Sequence, residues 1–207
     1  MLAAALDVVD ESGAAGLTLA AVAVRTGVAV PSLYKHVEGL PALRRQATVA
    51  VLDEFTARLT AAVLGYSGPD ALDRFLRAYR DYARENPGRY QLTVPAADAA
   101  DQEVAKAGAR AVDVALALLA GAGITGEEAV HATRCLRAAV HGFAMLEISG
   151  GFGLPESTDT SFDRLVAMLT VGRPRDMLQA RRLIESAVPV DISRLTDPAT
   201  PVKAAAA

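Results

Sequence analysis

Apolar side chains recur at the three- and four-residue spacing of a helix along most of this chain, and glycine and proline residues divide the pattern into segments. The first three segments are short and end near Gly16, Gly27 and Gly39. Thr18 stands directly before the second apolar run, where a threonine hydroxyl can cap a helix. Pro31 falls in the first turn of the third segment, where its missing N–H does no harm. Three short helices are therefore predicted at the N-terminus.

The later segments are longer and keep the same helical spacing. Thr125 and Glu128 form a Thr-x-x-Glu capping box, which marks the start of one of them. No strand-type alternation persists, so the sequence predicts an all-α fold. A short piece is expected around Tyr90, and one more amphipathic stretch over 176–187 precedes a loose tail. The longer predicted helices span 43–64, 70–85, 101–119, 125–148 and 161–171.

Composition narrows the class of protein. Of the 207 residues, 52% are apolar, which allows a large buried core and excludes a disordered chain. Cys135 is the single cysteine, so no internal disulfide is possible, and we expect its side chain to be buried. No apolar run approaches the ~20 residues of a membrane span, and the N-terminus lacks a signal-peptide pattern. A cytoplasmic protein with no membrane partner is expected.

The turn between the second and third predicted helices reads Arg-Thr-Gly-Val over residues 25–28. A turn of three or four residues containing glycine is typical of a helix-turn-helix, in which the second helix lies in the major groove of DNA. The net charge of −3 does not exclude this role, because DNA contact needs only a local basic face. Residues 1–45 carry four basic and four acidic side chains, so their formal charges cancel.

Three pieces of sequence surround this turn at fixed spacing. They are Gly-Leu-Thr-Leu-Ala-Ala-Val-Ala over 16–23, Gly-Val over 27–28, and Ser-Leu-Tyr-Lys-His-Val over 32–37. From Gly16 through Tyr34 they resemble, without a gap, the DNA-binding signature of the TetR (tetracycline repressor-like) family. The resemblance implies a transcriptional regulator that binds a double-stranded DNA operator.

The second half of the chain extends the resemblance. Residues 137–147 read Arg-Ala-Ala-Val-His-Gly-Phe-Ala-Met-Leu-Glu, and Gly-Phe at 151–152 and Ser-Phe at 161–162 follow. These pieces are similar to a TetR C-terminal domain type named for a Trp-His-Gly motif, although this chain has no tryptophan. The implied organisation is a helix-turn-helix DNA-binding domain over 1–45, a helical ligand-binding and dimerisation domain over 46–172, and a candidate extra helix with a flexible tail over 173–207.

The resemblance also assigns side chains to DNA. Tyrosine, lysine and histidine on the recognition helix suit phosphate oxygens, Ser32 suits a phosphate or a base edge, and Val30 and Pro31 suit a thymine methyl group. Thr18 can cap its helix and present helix N–H groups to a phosphate. Val28 is expected in the core instead. The expected DNA-binding residues are Thr18, Val30, Pro31, Ser32, Tyr34, Lys35 and His36.

A homodimer is a further implication of the resemblance. The family points to the helices over 127–148 and 161–171, which would pack with their mates as a four-helix bundle. Their apolar residues offer more surface than one intramolecular face needs, and an exposed patch of that size would aggregate. The expected interface residues are Val140, Ala144, Phe162, Leu165, Val166 and Leu169.

A ligand site is expected between the helices that begin near Asp70, Asp101 and Glu127, because pockets in helical folds lie between bundle helices. Aromatic, imidazole and thioether side chains are grouped there, with small residues beside them. This composition favours a small, mostly apolar effector, whereas the alternative is that all these side chains simply fill the core. The expected ligand-binding residues are Phe75, Tyr79, Tyr82, Tyr90, His141 and Met145.

Arg134, Arg137 and His141 share one face of their helix at i, i+3 and i+7. This trio can anchor an anionic ligand. Alternatively, the arginines form salt bridges with the partner subunit or with acids of the preceding helix, and we prefer this interpretation. The acids within reach are Asp101, Glu103 and Asp113.

Other chemistry is not indicated by the sequence. No nucleophile, base and orienting residue form a catalytic set, and His131 and His141 have no third metal ligand nearby. The chain is therefore not expected to be an enzyme, to bind a metal or to need a cofactor. The predicted function is a ligand-responsive transcriptional regulator, a repressor that a small hydrophobic molecule releases from a palindromic operator. The alternative is a helical adaptor or scaffold with a degenerate helix-turn-helix.

Overall fold

The computed structural model describes residues 1–95 and 101–170, and α-helices are the regular elements within them. The prediction of an all-α fold is confirmed. The expected helix over 176–187 and the tail lie outside the described residues. The helices are α1 Leu2–Gly16, α2 Leu19–Thr26, α3 Val30–Leu33, α4 Leu40–Val63, α5 Gly68–Glu85, α6 Pro87–Thr93, α7 Gln102–Gly121, α8 Gly126–Ile148 and α9 Thr158–Thr170.

Local sequence explains where the first helices begin and end. The Thr18 hydroxyl accepts a hydrogen bond from the Ala21 N–H at 3.1 Å, so Thr18 caps α2 as predicted. Gly27 ends α2 in the left-handed conformation, with φ +69°, which any residue with a side chain adopts only at a cost. Gly13, with φ +70°, interrupts α1 before its last turn.

The third helix is shorter than the sequence pattern predicts. Its regular part ends at Leu33, and the chain continues as a turn to Val37, whose N–H donates to the Leu33 carbonyl at 3.1 Å. Val28 is 43% exposed, so its assignment to the core is wrong. This valine lies in the turn after Gly27, where neither α2 nor α3 covers its side chain.

Two expectations for α8 are also wrong. Thr125 occupies the N-cap position, but its side chain accepts no capping hydrogen bond, so the predicted capping box with Glu128 does not form. Gly126, with φ +64°, opens the helix instead. Cys135, expected to be buried, is exposed because α8 turns this face away from the helices packed against it.

The long helix α4 is the central element of the described fold. It packs against α1, α5, α6 and α7. Its buried side chains run from Leu43, beside the helix-turn-helix, to Leu59. Helix α5 in turn packs against α8 and α9. A single hydrophobic cluster extends from α1 and α2 to α9, so the N-terminal helices and the later helices share one core.

No single helix within the described ranges is long and apolar enough to cross a membrane. Only Gln102–Gly121 and Gly126–Ile148 taken together, bent by 117°, reach that length and composition.

Candidate DNA-binding surface and ligand cavity

The helix-turn-helix keeps all seven sequence-predicted DNA-binding residues accessible. Buried Val22 and Leu33 fix α2 and α3 to the core, which leaves the polar positions facing outward. Tyr34 is 59% exposed. Val30 and Ser32 are half-buried, and the exposed members of the set are Thr18, Pro31, Tyr34, Lys35 and His36.

Salt bridges occupy some of the positively charged side chains near this surface, and only the others remain available to bind DNA. Arg25 donates hydrogen bonds to Asp7 at 3.2 Å and to Glu11 at 2.5 Å. Arg45 donates to Asp101 at 2.8 Å. Lys35 has no acidic partner in the described part of the chain. Lys35, like the exposed Arg44 of α4, is therefore a cation that no salt bridge occupies within the described residues.

An apolar cavity of about 190 Å³ lies between α4, α5, α7 and α8. Three of these helices are those between which the sequence predicted a ligand site. The α4 wall consists of Leu52, Phe55 and Leu59, and the α5 wall includes Phe75 and Leu76.

None of the predicted ligand-binding residues lies on α4 or α7, although α7 was expected beside the site. On α7 the wall is built from small side chains at helical spacing, and a small-residue stripe is a signal that can be read from sequence. On α4, no sequence feature separates a leucine that faces a cavity from one that faces a packed core. The small residues of the α7 wall are Ala105, Gly108, Ala111 and Ala115.

The six predicted ligand-binding residues occupy two kinds of position. Phe75 and Tyr79 line the cavity, and Tyr79 is backed by a hydrogen-bonded chain. The hydroxyl oxygens of Tyr79 and Tyr90 are 2.8 Å apart, and the Tyr90 hydroxyl lies 2.7 Å from His141 Nδ1. The predicted residues outside the cavity lining are Tyr82, Tyr90, His141 and Met145.

The three hydrogen-bonded side chains, Tyr79, Tyr90 and His141, are uncharged at neutral pH. Burial raises the pKa of Tyr79 and the pKa of Tyr90. Burial, and then the positive charge on Arg137, lowers the pKa of His141 below its usual 6.5. A line of neutral hydrogen-bonding groups therefore connects the cavity wall on α5 through α6 to α8.

One wall of the cavity is polar. Thr133 and Arg137, one turn apart on α8, both line it. Thr133 Oγ1 is buried and has no hydrogen-bond partner among the described residues. Arg137 donates to the carbonyl oxygens of Thr93 at 3.4 Å and Val94 at 3.3 Å.

The preferred salt bridges of Arg134 and Arg137 to acids of the preceding helix are not formed in the described ranges. Asp101 is engaged by Arg45 of α4 instead. Arg137 faces the cavity and the α6 carbonyl groups, where no acid of α7 meets it.

The short helix α6 joins the cavity region to α1. A Cβ at Gly88 would lie 2.2 Å from the Val9 carbonyl oxygen, so only glycine allows this approach. The neighbouring Arg89 donates to Asp10 of α1 at 2.7 Å and to Glu54 of α4 at 2.8 Å. The helix that carries Tyr90 is thus tied to both α1 and α4.

A buried ion pair fixes α8 and α9 to α5. Arg80 donates to the Glu147 carboxylate at 2.8 and 2.5 Å and to Asp159 at 2.7 Å. Thr158 donates to Glu147 at 3.1 Å. The hydrogen bond from Arg80 lowers the pKa of Glu147. No sequence signal indicated this pair, because an arginine on an amphipathic helix is normally expected on its solvent face.

The predicted dimer residues require a correction. Four of them are 0–2% exposed in the single chain, so they have no surface left for a partner to cover. Their apolar surface is used within the chain, where α9 packs on α5 and α8. Leu165 and Leu169 remain half-buried. The four residues removed from the predicted dimer interface are Val140, Ala144, Phe162 and Val166.

Known proteins match this chain in both sequence and fold. Residues 72–169 match a family model described as the tetracyclin repressor-like C-terminal domain. The HTH-type transcriptional regulator Rv0681 of Mycobacterium tuberculosis, described as uncharacterized, is 35% identical over 172 residues, which are 83% of this chain and 78% of that protein. This chain belongs to the TetR family of transcriptional regulators.

A second relative, the uncharacterized HTH-type transcriptional regulator YobS of Bacillus subtilis, is 34% identical over 144 residues, which are 69% of this TetR-family chain and 74% of YobS. A second family model, described as reductase C-terminal, matches residues 158–206. Most of that match lies outside the described residues, and it overlaps the TetR model along α9.

Several solved structures share the fold. A minocycline complex of a TetR variant from Acinetobacter baumannii AYE has a TM-score of 0.62 at 22% identity, covering 84% of this chain and 94% of that one. The stearoyl-CoA complex of FadR from Bacillus subtilis has a TM-score of 0.64 at 11% identity, covering 83% and 97%. A protein from Rhodococcus sp. RHA1 with unknown function has a TM-score of 0.67 at 24% identity, covering 82% and 93%.

Proposed function

We propose that this TetR-family chain is a homodimeric repressor that leaves a palindromic operator when a small, mostly apolar molecule fills the cavity between α4, α5, α7 and α8. The observation that carries the proposal is the position of α4. Leu43 near its start packs in the core beside the helix-turn-helix, and Leu52, Phe55 and Leu59 form a wall of the cavity. A change in the cavity therefore acts on the helix that supports the DNA-binding surface.

On the DNA side, we assign phosphate contacts to Tyr34, Lys35 and His36. Val30, Pro31 and Ser32 are assigned to base edges in the major groove, because short apolar and hydroxyl side chains suit thymine methyl groups and mixed edges. Thr18 holds the N-terminus of α2, where free helix N–H groups favour a phosphate. The accessibility of these side chains, five of them exposed and two half-buried, supports the assignment.

A ligand switches DNA binding only if it binds the two states of the protein with different affinity. Movement of α5 against α4 is the proposed route. The α6 contacts support a second link, since Gly88 and Arg89 bind this helix to α1. The solved complexes of related folds with minocycline and with stearoyl-CoA support a small-molecule site in this chain as well.

Dimerisation is proposed through the outer faces of α8 and α9. Leu146 of α8 is 49% exposed, Met168 of α9 is 54% exposed, and Leu165 of α9 is half-buried. Leu169 completes the apolar stripe of α9. An apolar surface shared by two helices is typical of subunit contacts.

The remaining assignments are also proposals. Membership in a regulator family supports a cytoplasmic protein without enzymatic activity. The Trp-His-Gly subtype is supported by His141 and Gly142 within the resembling segment, and the tryptophan is absent.

The experiment is a DNA titration of the K35A variant. Loss of one phosphate contact in each of the two subunits is expected to weaken binding to all sequences about tenfold per contact, which is roughly a hundredfold for the dimer. It should also reduce the slope of log affinity against log salt by about one for each lysine lost. Fluorescence anisotropy with DNA from upstream of the gene, across a salt series, measures both quantities.

The matched control is R58A, which removes an exposed positive charge from the other half of α4, where Arg58 pairs with Glu85. This variant should bind DNA as the wild type does. A K35A protein that keeps the wild-type affinity and salt slope would contradict the proposed surface. Failure of the wild type to bind DNA would favour an adaptor with a degenerate helix-turn-helix.

A further inference from the structure

We infer that the cavity selects an amphiphilic monocarboxylate, with its acid group on the Thr133 and Arg137 wall and its apolar part against α4 and α5. This inference rests on the proposed ligand site and adds the chemical class of the ligand. It follows from the hydrogen-bond donors that meet in an otherwise apolar space.

The first donor is a cation at the rim. Arg137 is exposed and also lines the cavity, so its guanidinium group stands where the cavity meets solvent. Its hydrogen bonds to the Thr93 and Val94 carbonyl oxygens are long, at 3.4 and 3.3 Å. A guanidinium group binds a carboxylate through charge-assisted hydrogen bonds that are stronger than bonds to neutral carbonyl groups.

The second donor is a hydroxyl group without a partner. Thr133 lies one turn before Arg137, on the same face of α8. Its Oγ1 is buried and unpaired within the described ranges. An unsatisfied buried hydroxyl is costly, and rotation of the Thr133 side chain toward the cavity would let a ligand oxygen satisfy it.

The third donor is Tyr79. When His141 carries its proton on Nδ1, it donates to Tyr90, Tyr90 donates to Tyr79, and the Tyr79 proton is left for a ligand oxygen. Burial raises the pKa of Tyr79, so the phenol keeps that proton at neutral pH. Three donors that line one cavity, two from α8 and one from α5, fit an acceptor-only group, which is what an ionised carboxylate is.

The opposite walls of the cavity determine the chemistry of the remaining part of the ligand. They are apolar and include Leu52, Phe55, Leu59 and Phe75, so they accept a hydrocarbon body. A cavity of roughly 150 Å³ is enough for a benzene ring. The cavity of about 190 Å³ therefore suits a slightly larger apolar body beside the acid group.

The test compares octanoate with 1-octanol, which has the same chain length and no charge. Binding to the full chain is measured by isothermal titration calorimetry and thermal shift. We expect octanoate to bind more tightly, and R137Q to weaken octanoate by about tenfold or more, as loss of a charge-assisted hydrogen bond does. Binding of 1-octanol to R137Q should be unchanged.

Two further variants keep the result interpretable. T133V replaces the unpaired hydroxyl with a methyl group, so the protein without ligand should be at least as stable as the wild type while its affinity for octanoate falls. R134Q removes a neighbouring exposed arginine that does not line the cavity and should leave octanoate binding unchanged.

Equal affinity for octanoate and 1-octanol, no binding of octanoate, or full octanoate affinity in R137Q would overturn the inference. Operator affinity measured with each compound separates this from the proposed function. If 1-octanol binds and releases DNA while octanoate does not, the carboxylate preference is wrong and the ligand-responsive repressor stands. If a bound compound leaves operator affinity unchanged, the proposed function fails.

Discussion

Replacing Glu147 with alanine is expected to lower the free energy of unfolding by roughly 3–5 kcal/mol, because it leaves the buried charge of Arg80 without its main partner. The side chains of Arg80 and Glu147 are only 6% and 11% exposed. Urea unfolding followed by circular dichroism measures the loss.

Two control variants test whether the unpaired charge of Arg80 causes the loss of stability. D163A breaks the exposed pair with Arg77 and should cost at most about 1 kcal/mol. The double variant R80M/E147L replaces both charges with apolar groups and should recover much of the loss, since such replacements are often neutral. An E147A protein as stable as D163A would contradict this account of the pair.

The same pair predicts an acid dependence. Arg80 lowers the pKa of Glu147 below its usual 4.5. A group whose pKa is lower in the folded state stabilises the fold above its unfolded pKa, and this contribution is lost as pH falls through the folded value. The stability gap between wild type and E147A should therefore narrow as pH falls below about 4.5.

The G88A variant is expected to lose about 3 kcal/mol of stability, near the upper end for an overpacked site. The new Cβ would lie 2.2 Å from the Val9 carbonyl oxygen and 3.5 Å from the Gly13 Cα. Backbone atoms cannot rotate away as a side chain can, so α6 and α1 must separate. Because α1 supports the helix-turn-helix, DNA affinity should fall as well.

G108A is the matched control, since Gly108 is also helical but a Cβ there meets no atom within 4 Å. Replacing a helical glycine by alanine in open space stabilises by up to about 1 kcal/mol. The same substitution is thus expected to have opposite signs at the two positions. Equal denaturation midpoints for G88A and wild type would show that α1 and α6 are not held as closely as described.

The sequence predicted what local rules determine. The Thr18 cap, the end of the second helix at Gly27 and the long helices follow from residue type and spacing, and all are present. The prediction was wrong where the local sequence offers two ways to begin a helix. Thr125 was expected to cap α8, but Gly126 opens the helix instead. Helix pattern alone does not choose between a capping side chain and a left-handed glycine.

The candidate site was less predictable, because it depends on which helices meet. The pattern grouped aromatic residues near α5 correctly, yet it could not tell that Tyr79 faces the cavity while Tyr90 stands behind it. It treated Phe162 and Val166 as surplus apolar surface, although α9 uses them within its own chain. The pairing of Arg80 with Glu147, 67 residues apart, depends wholly on tertiary packing.

We propose that two copies of this chain read DNA through α3 and the turn after it. Selection of binding sites from random double-stranded DNA by the full chain, followed by sequencing, tests it most directly. We expect an inverted repeat whose half-site centres are about 10–10.5 base pairs apart or a multiple of that spacing. S32A should change the preferred bases, and K35A should weaken recovery of all sequences. Absence of any enriched sequence, or enrichment of a single half-site unchanged by both substitutions, would contradict it.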